Sequence, residues 1–381
     1  SIYWPAISSL APGALRQPSK FTEKAYREIS HAPLYWRFTY NRAQGIERDG
    51  MSQSKQEARR GGCLRASGWV ALFLLLLLVA GAAFWAQSTN HTLGASERFA
   101  AGDGAPGSFV EVDGRQIHYQ LLGNPDGQPL LFVHGFNVNG GYEWSEIAPY
   151  LEEKYFLIIP DLPPFGHSER IGETSPLYTV QGQANALVTL LDSLNVEQAD
   201  VVAASAGGAA AVQMALDYPE RVERLVLIGA ELYDSGGGIF AQLGALPFGI
   251  GRANTWTGLG AGPRSGALFA IGCRTNGYCP DQETIERRQH LAEIQGTTDA
   301  IMARNSTLPA SRVPADLAQV QQPVLLIWGG GDLRGIETAN RLAAELPNAT
   351  VEIVAEADHT PHLHKPAATA LLIDNFLMQR S

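Results

Sequence analysis

Beyond residue 108 the chain alternates short apolar runs with longer amphipathic stretches. This predicts strands near 109–112, 117–122, 130–133, 155–160, 199–204, 222–228, 324–328 and 350–354. The first two runs alternate apolar with polar residues around Val112-Asp113-Gly114-Arg115, so they are expected to pair as an antiparallel hairpin. The later runs are continuous in Val, Leu and Ile, as in parallel strands buried on both faces. Between them, Val180, Ala184, Leu187, Val188, Leu190 and Leu191 recur at helical spacing and predict a helix over 180–194. From about 231 to 315 the strand rhythm stops. Glycine-rich pieces, Ser235-Gly236-Gly237-Gly238 and Thr257 to Pro263, alternate there with apolar patches and one polar helix expected over 281–303. This region is expected to lie as a lid over a site, with Phe240, Leu243, Phe248, Trp256 and Phe269 lining an apolar pocket or packing the lid itself.

A different pattern precedes the strands. Residues 69–85 contain no charged or strongly polar group and, at ~1.5 Å per residue, span about 25 Å as a helix. Trp69 and Trp85 stand at its ends, where amphipathic rings favour a membrane interface, and Lys55, Arg59, Arg60 and Arg65 precede it. The expectation is a transmembrane anchor over 69–86, contacting the lipid bilayer, with 51–68 as its basic cytoplasmic lead and everything downstream extracytoplasmic, in the periplasm or outside the cell. A cleaved signal peptide is the alternative, because Ala80-Gly81-Ala82 and Gly81-Ala82-Ala83 offer small residues at cleavage positions, leaving a secreted product. Residues 87–108, rich in Ala, Gly and Ser, read as a tether. Residues 1–50 show no sustained period and receive no fold; since the first methionine is Met51, they read as an extension outside the protein proper.

A hydrophobic content of 45% suffices for a core buried on both faces of a sheet. The net charge of −10, with no basic patch interleaved with aromatics, argues against nucleic acid as a partner. Protein partners and oligomeric state leave no trace in the sequence. Cys63 precedes the apolar run, whereas Cys273 and Cys279 bracket a segment containing Asn276-Gly277, a tight-turn signal that brings its flanks together. In an oxidising compartment the expectation is a Cys273–Cys279 disulfide, stabilising by about 2 kcal/mol. Two unpaired thiols are the alternative, and metal ligation lacks histidines at suitable spacing.

The chemistry enters at Val201 to Gly208, where Ser205 stands between small residues after an apolar strand and before an Ala-rich helix. A strand that reverses sharply into a helix exposes the side chain at the turn. It strains that residue and needs small neighbours two positions away, here Ala203 and Gly207. A tight turn alone gives the same local pattern. A serine nucleophile also needs an imidazole to take its proton and a carboxylate to fix that imidazole's tautomer. Asp332 follows the apolar run Val324 to Trp328, and His359 follows the strand candidate Thr350 to Val354.

The order Ser205, Asp332, His359, with a long first gap and a short second one, resembles the α/β-hydrolase superfamily. Leu130-Leu131-Phe132-Val133-His134-Gly135-Phe136 is similar to its strand and HGx turn, and Asp161 to Ser168 to its DLPGFGxS loop, with Pro164 where glycine is usual. Asp217 to Val222 and His362-Leu363-His364-Lys365-Pro366 are similar to framework segments, with His364 where Glu is common. Ala203 stands where Gly is usual. The resemblance covers roughly residues 109–378. It implies an α/β fold with an eight-stranded, mostly parallel sheet, helices on both faces and an inserted lid: core 109–230 and 316–381, cap 231–315; the transmembrane helix expected from the apolar run would precede it. It further implies a serine esterase with no cofactor and no metal, acting on a small-molecule ester or related acyl substrate, with Ser205 as nucleophile, His359 as base and Asp332 as its orienting acid. The backbone amides of Phe136 and Ala206 would form the oxyanion hole. Serine at 205 sets the chain apart from dehalogenases and epoxide hydrolases, which use Asp. Several alternatives stay open. Carbon–carbon bond hydrolases, lactonases and perhydrolases share this triad. A membrane-tethered binding protein can use the scaffold without turnover. Glu231 or Asp234 can replace Asp332, His134 can shape its loop or act directly, and His359, His362 and His364 form a zinc set on count alone.

Overall fold

The computed structural model describes residues 69–92, 94, 97–233, 249–258, 279–307, 313–332 and 335–379. Its strands are β1 (Ser108–Val112), β2 (Arg115–Gly123), β3 (Gln128–Val133), β4 (Tyr155–Pro160), β5 (Ala199–Ala204), β6 (Val222–Ile228), β7 (Val324–Gly329) and β8 (Ala349–Val354). They form one sheet in the order β1-β2-β4-β3-β5-β6-β7-β8. β2 runs antiparallel to β1 and β4, and the other pairs are parallel. The β1–β2 turn places both Asp113 and Gly114 at positive φ, 51° and 74°, the geometry a tight two-residue hairpin requires.

The central parallel strands are apolar over most of their length because both faces are covered. Leu131 and Val133, Val201 and Ala203, Leu225 and Leu227, and Leu326 and Trp328 pack into one core layer. The intervening Leu130 and Phe132, Val202 and Ala204, Val226 and Ile228, and Leu325 and Ile327 pack into the other. Ten helices are used below, starting with α1 (Trp69–Thr92), α2 (Val180–Ser193) and α3 (Gly207–Asp217). The next are α4 (Ile250–Gly258), α5 (Gln282–Ala292), α6 (Thr297–Thr307) and α7 (Val313–Asp316). The last are α8 (Ile336–Glu345), α9 (Pro361–His364) and α10 (Pro366–Met378). Helices α2, α3 and α8 cover the first layer, whereas α10 and the Trp144 segment cover the second.

Three local expectations change. The single polar helix over 281–303 is two helices, because Gly296 adopts φ 82° and the turn before it is held by another segment: Phe99 bridges Ile294, and Gln295 N–H donates to Phe99 O at 2.8 Å. The supposed tether 87–108 is therefore structured in two parts. α1 runs on to Thr92, past the anchor boundary at 86, and residues 98–99 dock on the α5–α6 turn, where Arg98 also pairs with Glu293. Strand β2 is longer at both ends than the periodicity indicated, since its distal half pairs with β4 at the sheet's antiparallel end. Helix α1 is long and apolar enough to cross a membrane by length and composition.

Residues 1–68, Asp234, Phe240, Leu243, Phe248, Phe269 and the side chain of Trp256 lie outside the described residues, as do the corresponding parts of the cap. Of the expected bridge, Cys279 is disulfide-bonded, whereas Cys273 also lies outside the described residues.

Candidate active site

Ser205 follows the last residue of β5, a central strand, and its φ is +47°. A non-glycine residue held there costs about 1–3 kcal/mol and persists only where its surroundings over-determine it. They do so here: Ser205 N–H donates to Ile228 O at 2.9 Å, and Ser205 O accepts from Gly208 and Glu231 N–H at 3.1 and 3.0 Å. The turn needs glycine at 207, where a Cβ would stand 2.4 Å from His134 O and 2.7 Å from Val133 O. Ala203, by contrast, packs its methyl group into the first core layer without exposure, which is why Ala serves there.

The sheet brings the two distant partners to this turn. Asp332 follows β7 and His359 follows β8, and both strands run parallel to β5, so their carboxyl ends open on the same rim. His359 Nε2 lies 3.0 Å from Ser205 Oγ, and His359 Nδ1 lies 3.0 Å from Asp332 Oδ2. With a carboxylate on one side, Nδ1 carries the proton and Nε2 is left to accept from the hydroxyl. Of the alternative acids, Glu231 meets Ser205 through its backbone.

Two amides, those of Phe136 and Ala206, are expected to face an oxyanion. Among the described residues neither Phe136 N–H nor Ala206 N–H donates a hydrogen bond. Gly135 sits against the nucleophile, since a Cβ there would lie 3.0 Å from Ser205 Cβ. His134 shapes this turn: its Nε2 accepts from Leu162 N–H at 2.8 Å, leaving Nδ1 to donate to Gly135 O at 2.7 Å.

Glu143 gave no signal in the sequence. Its buried carboxylate accepts from Gly135 N–H at 2.7 Å and Asn137 Nδ2 at 2.8 Å, and its other oxygen lies 3.2 Å from His362 Nε2. Burial alone would push this carboxyl up, but the His362 contact, the nearby His134 and the Gly135 amide outweigh it and hold it below the usual range. His362, fully buried, also lies tilted on the Trp144 ring at 4.9 Å. The pair thus ties the Gly135 turn to α9, two residues beyond the His359 loop. His364 faces Asp358 at 3.2 Å, so the three carboxy-terminal histidines turn to three different acidic partners. Glu143→Ala is expected to cost about 1–3 kcal/mol through the orphaned Gly135 amide, and to lower turnover by up to the ~10² that one oxyanion donor supplies. Thermal melts and steady-state kinetics check both.

The Asp161–Ser168 loop is pinned by Asp161, whose fully buried carboxylate accepts from Gly141 N–H, from His167 N–H at 2.7 Å and from His118 Nδ1 at 2.7 Å. Gly166 is obligatory, as its Cβ would lie 2.0 Å from Asp161 Oδ2. The departure at Pro164 is accommodated with a cis Pro163–Pro164 bond. His118 Nε2 meets Pro106 O at 2.6 Å, so both of its nitrogens face acceptors and the ring is held as an imidazolium. Burial pushes His118 down, yet Asp161 and the Pro106 carbonyl carry it above the ordinary histidine value. Asp161 is likewise pushed up by burial, and His118 and the amides bring it below its ordinary value.

Comparison with known proteins agrees with this architecture. Residues 128–245 match the model of the alpha/beta hydrolase fold. An uncharacterized hydrolase, YugF, of Bacillus subtilis is 29% identical over 272 residues, covering 70% of this chain and 96% of that protein. A 2-hydroxymuconate semialdehyde hydrolase of Pseudomonas sp. (strain CF600) is 36% identical over 122 residues, covering 32% of this chain and 42% of that enzyme. Among solved structures, a hydrolase from Pseudomonas aeruginosa superposes with a TM-score of 0.58 at 21% identity, covering 71% of this chain and 98% of that one.

Proposed function

The chain belongs to the α/β-hydrolase superfamily, and from that premise we propose that it is a serine hydrolase cleaving a carboxylic ester through an acyl-enzyme. The observation that carries this reading is the pair of 3.0 Å contacts from His359 to Ser205 Oγ and Asp332 Oδ2. In the forward step Ser205 Oγ attacks the carbonyl carbon while its proton passes to His359 Nε2, and Asp332 stabilises the imidazolium. The oxygen that gains charge is held by the Phe136 and Ala206 amides. Collapse expels the alkoxide, which takes the proton from His359. Water then attacks the acyl-enzyme, with His359 again as base, and the acid departs.

The same groups serve hydrolysis of a carbon–carbon bond beside a ketone, and the 36% identity to a semialdehyde hydrolase favours this as the second reading. The protein with these groups is proposed to be held by residues 69–86 in a bilayer, its sheet on the extracytoplasmic side, where the Cys273–Cys279 bridge would form. One experiment separates the readings. Full-length protein in detergent is incubated with a p-nitrophenyl ester and, separately, with a vinylogous 1,5-diketo acid. A burst of p-nitrophenol about equal to the enzyme concentration, followed by steady turnover, is expected. Turnover of the diketo acid alone moves the assignment to the second reading, and no reaction with either, together with no labelling by a fluorophosphonate, refutes both.

A further inference from the structure

Two arginines of this region, Arg170 partly buried and Arg304 buried, are differently treated. Arg170 is surrounded by acceptors: Thr297 Oγ1 at 2.9 Å, Gly166 O at 2.6 Å, and the carbonyls of Ser168, Phe165 and Leu291. That is how a structural guanidinium is stabilised, with its donors satisfied by fixed oxygens. Arg304, on α6, is 7% exposed, yet among the described residues its Nε has no hydrogen-bond partner and its one hydrogen bond is a 3.4 Å contact to the neighbouring Asn305. No carboxylate among the described residues pairs with it. Burial lowers its pKa to about 10, opposed by the charges of Tyr178 and Glu231, so the group still carries its charge at neutral pH.

The place of this charge gives it meaning. The guanidinium lies over the Phe136 ring at 4.8 Å and the Phe165 ring at 5.5 Å. Phe136 follows Gly135, which abuts Ser205, and Glu231 donates its amide to Ser205 O. Arg304 therefore lies over a residue of the turn that abuts the nucleophile, with one donor on Asn305 and its Nε unanswered. Aromatic faces attract a cation without accepting its N–H groups as an oxygen does, and a buried cation with unfilled donors is costly unless a ligand completes it. The net charge of −10 makes the point sharper, because the chain as a whole repels anions whereas a buried guanidinium attracts them.

We propose that Arg304 is the recognition site for a carboxylate carried by the substrate, so that the molecule cleaved at Ser205 bears a free acid on its acyl part. This deepens the serine-hydrolase reading and rests on it for turnover, but not for binding. The fork of Arg304 takes the carboxylate bidentately and holds the acyl chain beside the Phe136 amide, where the carbonyl oxygen must arrive.

The test uses the full-length protein in detergent and two matched esters, p-nitrophenyl hydrogen adipate and its uncharged isostere p-nitrophenyl 6-methylheptanoate. The parent is expected to favour the anionic ester in kcat/KM by about tenfold or more. In Arg304→Met this ratio should collapse towards one, chiefly through KM for the anionic ester, while Arg304→Lys, with the charge but not the fork, falls between. Independently of turnover, adipate should raise the melting temperature of the parent and of Arg304→Lys but not of Arg304→Met. Equal kcat/KM for the two esters in the parent overturns the proposal even if Arg304→Met fails to fold, as does a preference that survives the substitution. If neither ester is turned over, the hydrolase reading falls on its own, and adipate stabilisation of the parent still decides this one.

Discussion

Replacing Ser205 with alanine is expected to lower kcat by several powers of ten and to abolish labelling by a fluorophosphonate, while leaving the melting temperature close to that of the parent. The rate loss follows from the arrangement of the site. In the proposed mechanism Ser205, whose Oγ stands 3.0 Å from His359 Nε2, forms the acyl-enzyme, and its loss removes the second half of the reaction. A residual acceleration should persist, since amides that hold an oxyanion act on a water-borne reaction as well. Adding His359→Ala to Ser205→Ala should then cost little more, because groups acting as one unit are strongly non-additive. The melting temperature is expected to hold or rise slightly, as Ser205 carries its +47° φ for exposure of the nucleophile and not for packing. A parent that labels and turns over while the Ser205→Ala protein does so equally would remove this serine from the mechanism.

The largest effect on stability is expected at Asp161. Its carboxylate is fully buried and joins three elements: β2 through His118, the turn at Gly141, and its own loop through His167 N–H. Asp161→Ala leaves a buried imidazolium without its counter-ion and two amides without acceptors, a change of about 3–5 kcal/mol. For a domain of this size a loss of that order should appear as a fall of several degrees or more in melting temperature. The pH dependence has a defined sign on each side. His118 is raised above its ordinary value, so its contribution is complete below about pH 6.5 and is lost as pH rises through the raised value. Asp161 is lowered, so its contribution is present above about pH 4 and is lost as pH falls through the lowered value. Melting temperatures recorded from acid to mildly alkaline pH should therefore decline at both ends in the parent and depend less on pH in Asp161→Asn. An Asp161→Asn profile that parallels the parent's would show that the pair does not govern this dependence.

The legible part of the molecule is the part whose signal is repeated. Six of the eight strands lie within a residue of the expected bounds, because strands buried on both faces are apolar over most of their length, as in the run Val324 to Trp328. Ser205, Asp332 and His359 were legible for a related reason: each stands just beyond the carboxyl end of such a run, and parallel strands place those ends together. Glu143 was not. Its partners Gly135, Asn137 and His362 sit at unrelated separations in the chain, on an irregular turn and a one-turn helix, so no period marks it. The division of the polar segment at Gly296 was equally hidden, since it depends on residues 98–99 arriving from far upstream.

Sequence alone determined the alternation of strands and helices, the three residues at the rim and the apolar stretch from Trp69, since each rests on local spacing and on the burial that spacing demands. Only the tertiary structure decided which donors lack acceptors: that His118 is held charged by Asp161, that Arg170 is satisfied, and that Arg304 is left open beside Phe136. The reason is physical. The cost of burying a charge depends on the oxygens within about 3 Å of it, and the chain brings those from positions that no local pattern connects.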